Sequence, residues 1–65
     1  MKQIGKKIKE IRLEQGMTLK EMGEELQFNY SNLSKIERGV RKPTVELIGK
    51  MIKRYNLDAD EFFEN

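Results

Sequence analysis

The chain has 65 residues, a formal net charge of +2, and neither Cys nor His. That length is near the lower limit at which an apolar core alone holds a fold, so a single domain over residues 1–65 is expected, without disulfides or thiolate metal sites and without the commonest metal ligand and general base. No apolar run approaches a membrane span, and the opening MKQIGKKIKE lacks the uncharged core of a signal peptide, which points to a soluble, unprocessed protein of the reducing cytoplasm.

Ile4, Ile8 and Ile11 recur at spacings of four and three, so the pattern predicts a helix over residues 3–15 with one apolar stripe and a lysine-rich opposite side. Gly16 closes it as a left-handed cap. Thr18 opens a second helix, Glu21 three residues on completes a capping box, and Leu19, Met22 and Leu26 face inward. That helix stops near Gln27. Asn29 caps a third helix running through Arg38, with Leu33 and Ile36 buried and Gly39 at its end.

In VRKPT, Pro43 disfavours helix at Lys42, and Thr44 caps a fourth helix whose apolar face is Val45, Ile48, Met51, Ile52 and Tyr55. Asn56 takes a left-handed exit. Asp58 and Glu61 form another capping box, implying a last helical turn that folds Phe62, with or without Phe63, back on the core. With no strand signal, repeat or linker, the expected fold is all-α, a compact domain of five helices. Met1 is the initiator, and Met17, Met22 and Met51 fall at apolar positions as core filler.

Two short helices separated by a turn of about three residues cross steeply, and the second then stands out as a ridge suited to a major groove. With Leu33 and Ile36 inward, Tyr30, Ser31, Ser34 and Lys35 face outward. An ordinary surface helix mixes Glu with Lys to gain spaced ion pairs. Small polar groups and one cation instead suit base edges and phosphates. The charge distribution agrees: four of the 11 acidic groups, Asp58, Asp60, Glu61 and Glu64, fall in the last eight residues, while all 13 basic groups precede them.

These segments resemble the XRE family, the helix-turn-helix domains of the phage Cro and repressor type. IGKKIKEIRLEQGMT is similar to the family's first helix, LKEMGEELQFN to its second helix and turn, YSNLSKIERG to its recognition helix, and KPTVELIGKMIKRYNLDADEFF to its closing helices. The motif covers about residues 18–38. Met22, Leu26, Phe28, Leu33 and Ile36 match its apolar positions, and Gly23 matches its small-residue position. Two residues depart from the pattern. Gln27 replaces the usual Gly of the turn, a cost of roughly 1 kcal/mol if the left-handed conformation is kept. Leu19 replaces a phosphate-touching Gln, which leaves that contact to the head of the second helix at Thr18.

The resemblance implies a sequence-specific regulator of transcription, a repressor acting as a homodimer on a two-fold operator in double-stranded DNA, bacterial or phage-encoded and associated with the nucleoid. Tyr30, Ser31, Ser34 and Lys35 are the expected base readers. Thr18, Asn32, Arg38, Arg41 and Lys42 are the expected phosphate contacts. Arg12 and Glu37 resemble a structural pair linking the first helix to the end of the third, and one or two of Lys2, Lys6, Lys7 and Lys9 are expected near DNA. No cofactor or metal is expected, and no enzyme activity. The alternative is a protein-interaction module of the same fold, such as an antitoxin or a partner-titrated developmental switch, with a regulatory protein partner at an apolar patch of Tyr55, Phe62 and Phe63.

Overall fold

A computed structural model describes residues 2–63, with side chains from residue 4, so Met1, Glu64, Asn65 and the side chains of Lys2 and Gln3 lie outside it. Five helices follow one another in it: α1 (Lys2–Glu14), α2 (Leu19–Leu26), α3 (Tyr30–Glu37), α4 (Val45–Tyr55) and α5 (Asp60–Phe63). The all-α expectation therefore holds, with α1 starting and ending one residue earlier than its periodicity suggested.

The breaks between helices are set by local chemistry. Gly16 and Gly39 both take positive φ, at 69° and 77°. At α2 the capping box is complete, the Glu21 amide donating to the Thr18 hydroxyl oxygen (3.1 Å) and the Thr18 amide to the Glu21 carboxylate (2.8 Å). Asn29 Oδ1 accepts from the amides of Ser31 (2.8 Å) and Asn32 (3.2 Å), and Thr44 Oγ1 from that of Leu47 (3.1 Å). Each satisfies amides that the first helical turn leaves without partners. The box before α5 is altered: Glu61 reaches back to the Asp58 amide (3.1 Å), but the Asp58 carboxylate takes the Asp60 amide (3.0 Å) instead of that of Glu61.

The core is a cluster to which α1, α2 and α3 give two side chains each, α4 three and α5 one, Phe62. α3 lies against both α1 and α2, α4 against α2, and α5 against α1. Leu33 and Ile36, 0% and 1% exposed, seat α3. Burying side chains of this size is worth about 1.5–3 kcal/mol each, a large part of what a domain this small has.

The apolar face expected of α4 needs correction at its start. Val45 is 89% exposed, and Leu47, absent from that face, is completely buried. Residues turn roughly 100° apart around a helix. The buried arc of α4 runs from Leu47 through Met51 to Ile48, and Val45, its first residue, lies beyond the Ile48 edge of that arc. In α5 Phe62 fills the core while Phe63 is 60% exposed, so of the two phenylalanines only Phe63 is left for a surface patch.

Backbone proximity between helices has its own signature. A Cβ at Gly5 would collide with the carbonyl oxygen of Ile36, so α1 crosses the end of α3 where α1 has no side chain. At Gly23 a Cβ would lie 2.8 Å from the Phe28 carbonyl oxygen and 3.0 Å from Tyr30 Cβ, which explains a small residue where α2 meets the start of α3.

Candidate nucleic-acid interface

The turn between α2 and α3 keeps the left-handed conformation without glycine: Gln27 has φ 53° and ψ 49°, its amide donating to Glu24 O (3.3 Å) and that of Phe28 to Gly23 O (2.8 Å). Lys50 Nζ, from α4, donates to the Gln27 carbonyl at 3.3 Å and braces this turn from outside. The departure at Gln27 thus leaves the geometry unchanged at a local cost of about 1 kcal/mol.

Beyond the turn, α3 turns Tyr30, Ser31 and Lys35 to solvent, Tyr30 being half exposed, with Ser34 partly covered at the edge of the arc. Its single carboxylate, Glu37, is drawn the other way. Arg12 Nε donates to Glu37 Oε2 at 2.8 Å and Nη2 to Oε1 at 3.1 Å, while Nη1 donates to the Met17 carbonyl at 2.9 Å. The two side chains are only 11% and 5% exposed. This two-pronged contact fixes α3 against α1 and leaves the outward arc of α3 without a negative charge.

The cations after α3 fall into two kinds. Arg38 bends back so that its Nε donates to Ser34 O at 3.3 Å, and Arg41 Nη1 donates to Asn32 Oδ1 at 2.7 Å. Lys42 is exposed. Thr18 is exposed at the head of α2 with its hydroxyl oxygen on the Glu21 amide. In α1, Lys6 and Lys9 are exposed, whereas Lys7 is 3.8 Å from Glu61 and turned toward α5.

A family description reading Helix-turn-helix matches residues 8–62, which takes in α2, the left-handed turn, α3 and the helices that hold them. The chain belongs to the XRE family of helix-turn-helix proteins. It is similar to the HTH-type transcriptional regulator ImmR of Bacillus subtilis (strain 168), with 39% identity over 57 residues, covering 88% of this chain and 45% of that protein. It is also similar to the HTH-type transcriptional regulator PuuR of Escherichia coli (strain K12), with 34% identity over 59 residues, covering 91% of this chain and 32% of that protein. The chain therefore spans less than half the length of these curated relatives.

Within the helix-turn-helix, sequence reasoning missed two contacts that support α3. One is the Asn32–Arg41 bond across nine residues, and the other is the Lys50 brace on the turn. Neither carries a periodicity. On the side of α2 turned to α4, the Tyr55 hydroxyl donates to Glu25 Oε1 at 3.0 Å, with Arg54 Nε 3.3 Å from the same oxygen. Burial, reinforced by the Glu25 hydrogen bond and charge and opposed by Arg54, pushes the Tyr55 phenol up to about 12. Among the described residues no helix is long and apolar enough to cross a membrane.

Proposed function

We propose that the chain binds double-stranded DNA sequence-specifically as part of a transcription regulator, with α3 lying in the major groove. The observation that carries this reading is the make-up of the outward arc of α3. Tyr30, Ser31, Ser34 and Lys35 offer hydroxyls and one ammonium, and the only carboxylate of the helix is held inward by Arg12. Such an arc can donate to guanine O6 and N7 and touch thymine methyls without repelling phosphate. Thr18, Asn32, Arg38, Arg41 and Lys42 surround it as contacts to the sugar-phosphate backbone, which supply affinity and register without sequence information. ImmR and PuuR, to which this chain is similar, are named as HTH-type transcriptional regulators, which supports the reading.

The regulator acts as a repressor and binds as a homodimer. One reading helix covers about four or five base pairs, too few to select a site in a genome, so two copies read half-sites roughly 34 Å apart. The segment 55–65 is the dimer surface, with exposed Phe63 as its apolar contact. Selection of bound duplexes from random-sequence DNA tests the proposal. The expected product is an inverted repeat whose half-site centres are one helical turn apart. Recovery of no preferred sequence would refute it.

A further inference from the structure

The loop after α3 folds back on the helix it leaves. The amides of Val40 and Arg41 both donate to the Lys35 carbonyl, at 2.9 and 3.2 Å, which sets Arg41 alongside α3 and brings Nη1 to 2.7 Å from Asn32 Oδ1. A guanidinium has donors only, so the amide atom that meets it is the oxygen, and the Nδ2 group is turned away. We infer that Arg41 is a positioning residue for Asn32, holding its amide in the one orientation that presents NH donors outward, so that this edge of α3 accepts only a hydrogen-bond acceptor, a phosphate oxygen of the duplex.

The inference rests on the DNA-binding reading above and deepens it. An asparagine reads adenine with its oxygen and nitrogen together on one accessible edge. With Oδ1 facing Arg41 and one of its two lone pairs taken, Asn32 does not present oxygen and nitrogen together on an outward edge; its Nδ2 donors serve the backbone, which leaves base reading to Tyr30, Ser31, Ser34 and Lys35. The bond takes one of five guanidinium donors, so Arg41 still brings positive charge to the same phosphate. Asn32 itself is half-buried and its own amide is capped by Asn29, so the side chain is presented from a fixed backbone.

The test is a double-mutant cycle on the duplex recovered by selection from random DNA, titrated with the parent, Asn32→Ala, Arg41→Ala and the double variant. Asn32→Ala is expected to weaken binding roughly tenfold and Arg41→Ala by more, since it also removes the guanidinium charge, while the double variant should bind no worse than Arg41→Ala, because without Arg41 the Asn32 contact is already lost. Losses that multiply would overturn the inference. Asn32→Asp keeps an oxygen toward Arg41 but replaces the outward donors with a carboxylate oxygen, so it should bind more weakly than Asn32→Ala; binding equal to the parent would also overturn it. In the protein without DNA, the Asn32 side-chain amide resonances should move in Arg41→Ala while the Leu33 and Ile36 backbone amides stay, and unmoved Asn32 resonances would contradict the contact. Should the parent select no duplex, the DNA-binding reading fails, and this inference falls with it whatever the resonances show.

Discussion

Arg12 and Glu37, 25 residues apart, join α1 to the last turn of α3 through paired hydrogen bonds of 2.8 and 3.1 Å at a nearly buried site. The pair has two consequences. It sets the angle at which α3 is presented, and it removes the one carboxylate of α3 from the surface proposed to meet DNA. Its net contribution to stability can be small, since desolvating two charges offsets their attraction. Removing one partner is different. Arg12→Ala is expected to destabilise the fold by about 3–5 kcal/mol by stranding the Glu37 carboxylate, whereas Arg12→Met combined with Glu37→Leu should melt much closer to the parent. Urea titrations check this, and an Arg12→Ala protein as stable as the parent would remove the pair from the account.

Gln27 occupies a left-handed turn that suits glycine better. Gln27→Gly should therefore raise stability by about 1 kcal/mol, less any entropy the glycine adds to the unfolded chain. Thermal melting followed by circular dichroism measures the change. A lower melting temperature would mean that Gln27 makes a compensating contact through its side chain.

Tyr55 supplies a pH dependence of known sign. Its phenol is raised from 10.0 to about 12 in the fold, chiefly by burial and then by Glu25. The neutral form is thus favoured in the folded state, and the stability tied to it is fully present below pH 10 and lost as pH rises from 10 toward 12. Tyr55→Phe should flatten the fall in stability over that window relative to the parent. Parallel curves for the two proteins would show that Tyr55 titrates alike in folded and unfolded chains.

Much of this fold was legible because its signals are local. Thr18, Asn29 and Thr44 cap helices through amides two or three residues away, and Gly16, Gly39 and Asn56 mark helix exits by conformations that few residues accept. What the sequence did not disclose depends on tertiary neighbours. Val45 and Leu47 exchange exposure because nothing covers the first residue of α4, and the collision reserved for a Cβ at Gly5 arises only once α1 crosses α3. Of the candidate site, the arc of Tyr30, Ser31, Ser34 and Lys35 followed from the phase set by Leu33 and Ile36. The bond from Arg41 to Asn32 did not, since it needs the path of the intervening loop.

Phe63 tests assembly. Its ring is 60% exposed, so Phe63→Ala should leave the melting temperature nearly unchanged. The same change should turn cooperative occupation of two half-sites into independent single-site binding in a gel-shift titration. Persistence of only the doubly occupied complex would move the dimer surface elsewhere, with the lysine-rich face of α1 next to be examined.

Lys35 lies on the outward arc of α3 and carries the only formal charge there, so the claim that this arc reads DNA is tested most directly by comparing Lys35→Ala with the parent on the selected duplex and on its single base-pair variants. The account predicts a loss of about 1–3 kcal/mol on the selected duplex, together with relaxed preference at one base pair and unchanged preference at the others. An equal loss on every duplex would make Lys35 a backbone contact, and no loss on any would contradict the assignment of α3 as the reading helix.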